Sequence, residues 1–293
     1  MSRLAASLGG PAGCAGGAIV LFVVLCALLA PSIAPHSPLE ISLQHKLEPP
    51  GATFWFGTDQ AGRDVFSRIL WGARPSLQVG MVAVVIGTLG GVTLGLFAGF
   101  HSGGWFEQAA MRILDAMAAI PLLIWAIAVV GIVGVDPVHL GPFTFQNEIK
   151  LMLLLGLLYI PGLGRLTHAS AKAESRGDYV AARRLQGVAE WRIMVGDVLP
   201  NCLAPVIVQA TLLVAVGIIV EAAVSFVGLG VQPPASSWGT MLAEARNFLF
   251  SGDWWLSLFP GLAISLTVIG FNLLGDGLRD VLDPRRNTAL LTA

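Results

Sequence analysis

The chain is built from long apolar runs separated by short polar interruptions. A helix needs about 20 apolar residues to cross the hydrocarbon core of a bilayer. Six runs meet or approach that length: 15–33, 78–100, 111–134, 151–171, 203–228 and 255–275. The stretches between them are polar or rich in Gly and Pro, as connections are. This pattern predicts an all-α membrane protein with six transmembrane helices. Six crossings return both termini to the same side.

The layout that follows has a terminal segment 1–14, a first helix 15–33 and an external segment 34–77. A five-helix core covers 78–275, with a polar loop at 172–200, and a tail covers 276–293. Arg3 followed by the first apolar run resembles a signal peptide. The run nearly reaches spanning length and further spans follow, so an uncleaved first helix is expected. Lys and Arg concentrate in loops on the cytoplasmic side. With the N-terminus inside, eleven of the seventeen basic residues lie inside and six outside. The bias favours both termini in the cytoplasm.

Composition agrees. Hydrophobic residues make up 55% and charged ones 12%, with a mean hydropathy of +0.76. Soluble domains carry about 25% charged residues, because a surface facing water must be covered with polar groups. Immersion in lipid removes that need. A net charge of -1 gives no reason to invoke nucleic acid. Cys14, Cys26 and Cys202 sit in or beside apolar runs with no metal-ligand spacing, so neither a disulfide framework nor a metal site is implied. The five histidines are scattered, and no P-loop, metal-binding His/Glu pair or nucleophile elbow is present. Covalent catalysis is not expected of this chain.

Several residues stand out within this frame. Gly87, Gly91, Gly95 and Gly99 recur every four residues and form one flat helix face, suited to close helix packing. A glycine-lined pore is the other reading of the stripe. Arg112 and Asp115 open the third run, where such side chains can reach the interface, and Pro121 predicts a kink within it. Glu221 lies about eighteen residues into the fifth run, about 27 Å along a helix, and is either a structural hydrogen-bonding group or a group lining a translocation path. Asp59, Arg63 and Asp64, before the second run, suit a salt-bridged cap or a docking surface for an external partner. Asp276, Arg279, Asp280 and Asp283 suit a solvated interface or a partner contact on the opposite side.

The polar loop 172–200 is long for a connection between helices in a bundle. It is rich in helix formers up to Gln186. Gly177 and Asp178 are positioned to end one helix and cap the next, with the Asp178 carboxylate accepting from free N–H groups. Gly187 is positioned to stop that short helix. A rigid projecting helix of this kind fits a groove on a partner.

The loop resembles the cytoplasmic coupling loop, or EAA motif, of ABC importer permeases. Asp178, Tyr179 and Val180, then Gly187, then Leu199, Pro200 and Asn201 stand at the family's spacing. Ala182 matches the first Ala of the motif, whereas Ala181 replaces its Glu and Arg183 its second Ala. Residues 56–77, 221–242 and 275–285 also resemble segments of the dipeptide, oligopeptide and nickel importer group, in the same order, and point to its second, C-type permease.

This resemblance implies a type I ABC importer permease fold in the cytoplasmic membrane. It implies a homologous second permease, two ATPase subunits beneath and an extracytoplasmic substrate-binding protein as partners. No cofactor would bind this chain, and ATP and Mg would bind the partner ATPases. Asp178, Tyr179, Val180, Ala181, Ala182, Arg183, Arg184 and Gly187 would form the ATPase contact, with Tyr179 and Val180 as apolar anchors and both arginines facing acidic groups. Small peptides are the expected substrate, and nickel or another small solute is the alternative. A secondary transporter would bury carboxylates near the midplane or show inverted repeats, and neither is evident. A purely structural scaffold would not need a glycine-broken docking loop.

Overall fold

A computed structural model describes residues 10–140, 143–248 and 250–282. Arg3, Asp283, Arg285 and Arg286 lie outside the described residues.

Helix α1 (Pro11–Ile33) begins with a proline at its first turn, where the missing N–H costs nothing. Pro31 near its end cannot donate to the Ala27 carbonyl four residues back. Arg74 fills that gap, with Nε donating to Ala27 O at 2.7 Å. The chain then winds through 34–64 as an irregular segment. There Gly62 takes φ 74°, and a side chain at that position would overlap the Ser42 backbone.

Helix α2 (Val65–Phe100) is 36 residues long and capped by Asp64, whose carboxylate accepts from Ser67 N at 3.0 Å. It starts well before residue 78, the beginning of the apolar run. Arg68, Ser67 and Ser76 in its first turns are buried and paired, so helix continues where hydropathy falls.

The third run is broken rather than kinked. Helices α3 (Trp105–Ala118) and α4 (Leu122–Val133) meet at Pro121 with a bend of 81°. A two-stranded antiparallel hairpin follows, β1 (Val138–Leu140) against β2 (Phe143–Phe145), with Val138 opposite Phe145. The architecture is thus mostly helical, with one short hairpin the apolar pattern did not predict.

Helix α5 (Asn147–Glu174) leads into short helices α6 (Asp178–Leu185) and α7 (Glu190–Ile193). A π-helical turn, Met194–Val198, joins α7 to α8 (Leu199–Phe226). Helix α9 (Trp238–Ala245) precedes α10 (Trp255–Leu282). Among the described residues, five helical stretches are long and apolar enough to cross a membrane, or six if the bent α3–α4 pair counts as one.

The largest interface joins α2 to α5. All four glycines of the stripe face α5. A Cβ added at Gly87 would stand 2.5 Å from Tyr159 Cβ, at Gly91 2.7 Å from Leu163 Cβ, and at Gly99 2.6 Å from His168 O. At Gly95 it would press on Gly164 O. The two backbones are in direct contact along this seam. The main core gathers Val79, Ala83, Leu151, Leu155, Leu163 and Ile218 around it. Leu28, Leu89, Ile132 and Ile269 instead point outward, as on a bundle solvated by lipid.

Candidate functional site

The projecting site is the helical hairpin between α5 and α8. Gly177 stands at the N-cap of α6 without a side-chain bond, and Asp178 occupies the first helical turn. Asp178 is therefore not the capping acceptor expected from the sequence, although its charge still suits a helix N-terminus.

Gly187 ends α6 with φ 75°. Val188 N donates to Arg183 O at 3.2 Å and Gly187 N to Arg184 O at 3.0 Å. That pair of bonds is a Schellman motif, which requires a left-handed residue. Gly187 thus turns the chain sharply from α6 toward α7.

A small apolar cluster seats the hairpin on the bundle. Val180, Ile193, Val198 and Cys202 are fully buried with Ala171, Leu96 and Phe100. Val180 points inward, so its anchoring is within the chain and not on a partner, as the helix period requires once Tyr179 faces out. Tyr179 is 38% exposed, and its hydroxyl donates to Glu174 Oε2 at 2.6 Å. Partial burial and that bond hold the phenol above its ordinary pKa. Asn201 Nδ2 reaches Tyr179 OH at 3.3 Å and Asp197 O at 3.2 Å, closing the base of the hairpin.

Both arginines are also satisfied internally. Arg183 pairs with Asp197 at 3.0 Å and Arg184 with Glu190 at 2.9 Å. These pairs brace α6 against the returning strand of the hairpin. What remains outward on α6 is Asp178, Tyr179, Ala181, Ala182 and Leu185, and Trp191 on α7 is exposed too. Leu185 is 90% exposed. The sequence reading missed Leu185 and Trp191, although an apolar side chain next to the helix-stopping glycine was a visible signal.

A second cluster ties α3 to the same end. Glu107 Oε1 meets His168 Nε2 and Lys172 Nζ, each at 2.7 Å, and Glu107 Oε2 accepts from Gly103 N at 2.5 Å. Asp115 pairs with Arg165 at 3.2 Å, while Arg112 is exposed. The spacing of His168 and Lys172, one turn apart, was the sequence signal for this contact.

The opposite end forms a cap. Arg68 is 2% exposed and pairs with Asp59 and, at 2.7 Å, with Glu244. Arg63 pairs with the same two carboxylates at 2.6 and 2.9 Å. Asp64 caps α2. Asp59, Arg63 and Asp64 are therefore tied into the cap by their side chains. Glu221 is fully buried. It accepts from Ser76 Oγ at 3.0 Å and from Ser225 Oγ at 2.7 Å. Those hydroxyls accept in turn from Trp238 N and Val231 N. Glu221 thus holds the 227–238 loop onto α2 and α8. At the hairpin end, Asp276, Arg279 and Asp280 are exposed on the last turns of α10.

A bundle of long apolar helices, with a braced hairpin at one end and an ion-paired cap at the other, is the build of a membrane protein. Residues 91–288 match the family of the binding-protein-dependent transport system inner membrane component, and residues 11–50 match the N-terminal TM domain of oligopeptide transport permease C. The chain belongs to the binding-protein-dependent transport system inner membrane component family.

It is 44% identical over 94% of its length to the di/tripeptide transport system permease protein of Pseudomonas aeruginosa, covering 89% of that protein. It is 42% identical over 91% of its length to the dipeptide transport system permease protein of Alkalihalophilus pseudofirmus, covering 84% of it. It is 39% identical over 94% of its length to the probable D,D-dipeptide transport system permease protein of Escherichia coli, covering 89% of it. The chain is a non-catalytic permease of the inner membrane, part of an ABC system that works with a substrate-binding protein and an ATPase.

Proposed function

We propose that this chain is one of two permease subunits of an ATP-driven importer of di- and oligopeptides. The observation that carries the reading is the near full-length similarity to permeases named for dipeptides, joined to a hairpin with an unpartnered apolar tip. In this reading the six spans are α1, α2, the bent α3–α4 pair, α5, α8 and α10. Both termini and the hairpin face the cytoplasm, in keeping with the Lys/Arg bias, and the cap faces outward. The segment 34–77, the core 78–275 and the tail from 276 keep the roles their sequence suggests.

A homologous permease completes the channel. Two ATPases bind ATP and Mg and receive α6, with Asp178, Tyr179, Ala181, Ala182 and Leu185 on the contact face. Arg183, Arg184 and Gly187 hold the shape of that face, and Val180 roots it in the bundle. The cap built on Asp59, Arg63 and Asp64 receives the substrate-binding protein. ATP acts by stabilising one state of the transporter over the other, and the hairpin carries that preference into the bundle.

The test is capture of the ATPase in mild detergent, comparing wild type with Gly187→Pro. Proline cannot adopt φ 75° and lacks the N–H that bonds Arg184 O. Recovery with wild type and loss with the variant is expected. Equal recovery with both removes the hairpin as the dock, and no ATPase with either, in an intact permease pair, overturns the reading. Uptake of a labelled dipeptide by the same reconstituted complex tests the substrate.

A further inference from the structure

At the hairpin end, α5, α8 and α10 enclose an open groove of about 510 Å³. It is lined by Pro205, Val208, Gln209 and Leu212 of α8, Leu166 of α5 and Arg279 of α10. Sites for small organic molecules occupy roughly 300–1,000 Å³. Gln209 is the first observation that marks this groove. It lies six residues into the apolar run 203–228, about 9 Å from the run's edge. It is half-buried, and its amide has no hydrogen-bond partner among the described residues. An amide left unpaired against hydrocarbon is costly. The same helix shows the alternative, because Glu221 is satisfied by two serines. Unlike the Tyr159 hydroxyl, which is sealed in the core without a partner, the Gln209 amide opens onto the groove.

Arg279 is the second observation. It is exposed in the same groove and has no ion-pair or hydrogen-bond partner among the described residues. Gly275 of α10 abuts Leu212 and Thr211 of α8. The two helices run antiparallel, so Arg279, one turn beyond Gly275, stands about level with Gln209. A guanidinium without a partner is held in water, since burying it unpaired is too costly. The groove therefore carries water to the level of Gln209. A lipid tail or a tightly packed helix there would strand both groups.

We propose that this groove is the inner part of the path taken by the transported peptide, and that Gln209 hydrogen-bonds the peptide backbone there. The proposal rests on the peptide-importer reading and adds to it the residue of this chain that touches the cargo. Peptides of different sequence share one polar unit, the backbone amide, with a donor and an acceptor. A glutamine amide offers the complement, two N–H donors and a carbonyl acceptor. A single neutral contact holds each peptide weakly enough to let it leave, as conduction requires.

The test uses Gln209→Cys in the full transporter in lipid nanodiscs, which leave both faces open. Mass spectrometry reads modification at position 209 separately from Cys14, Cys26 and Cys202. A charged reagent, trimethylammonioethyl thiosulfonate, should modify it, and the rate should differ at least about tenfold between nucleotide-free and vanadate-trapped complexes, as a shift between two states requires. Modification by an apolar maleimide alone places position 209 against lipid. No modification by either reagent in either state places it against the second permease, and equal rates in both states make it a static surface. Each of these three results overturns the path. Gln209→Leu keeps the volume and removes the amide. Uptake of labelled alanyl-alanine should then fall about three- to tenfold, as for one lost hydrogen bond, with ATPase capture equal to wild type. Unchanged uptake overturns the contact with the cargo. A wild type that moves no alanyl-alanine overturns the peptide reading itself, while labelling at position 209 reports on the path independently of the cargo.

Discussion

The two ends of the bundle use charge in opposite ways. At the cap end, Arg68 and Asp59 are buried and join residues far apart in the chain, Asp59 to Glu244. At the hairpin end, Arg183 and Arg184 pair with Asp197 and Glu190, close in sequence and substantially exposed. Buried ion networks punish the loss of any member, because the remaining charge has no solvent. Exposed local pairs contribute little to stability and mainly set shape. The cap is therefore held by its charges, whereas the hairpin is held by its apolar seat and uses charge only to set its shape while showing a face outward.

This contrast can be broken at its strong end first. Arg68→Met leaves Asp59 and Glu244 with Arg63 as their remaining partner, and should cost about 3 kcal/mol, the low end for a broken buried pair, seen as a fall in folded yield and in the thermal midpoint of the purified permease. A loss no greater than that of an exposed pair would mean the cap is wetter than its burial indicates. Gly95→Ala comes next. Its methyl group would press on Gly164 O, and separating α2 from α5 should cost about 1–3 kcal/mol, read as a lower unfolding midpoint with intact secondary structure. Leu185→Asp should change stability by no more than about 0.5 kcal/mol, as for other surface positions, while sharply reducing ATPase capture. A stability loss there would place Leu185 in the hairpin's own packing.

Most of the bundle was legible because burial in lipid leaves a one-dimensional trace: long apolar runs mark α1, α5 and α8 to within a few residues, and the start of α10, which continues to Leu282 past the end of its run at 275. The trace fails where polar residues are satisfied inside the protein. Helix α2 begins at Val65 rather than near residue 78 because Arg68, Ser67 and Ser76 find partners on distant segments, and no window of hydropathy contains those partners. Pro121 was visible, but the size of the break was not, since it depends on what α3 and α4 each pack against.

The hairpin read well. Gly187 carries its own geometric demand, and Asp178 was misplaced by one position only because Gly177 takes the N-cap. The direction of Val180 followed from which face of α6 meets Phe100 and Ile193, a tertiary fact. Glu221 shows the same divide. Ser225, one turn away, was in plain view, whereas Ser76 lies 145 residues off.

The glycine seam has a mechanical meaning. Helix α2 is about 54 Å long at 1.5 Å per residue. It carries Arg68 of the cap near one end and Phe100 of the hairpin's apolar seat at the other. Welded to α5 along its inner half, it behaves as a connecting rod, and α5 itself runs directly into the hairpin. If α6 is where the ATPase pushes, as proposed, close backbone contact at this seam leaves little room for sliding, and the expected response at the far side is displacement of the whole rod.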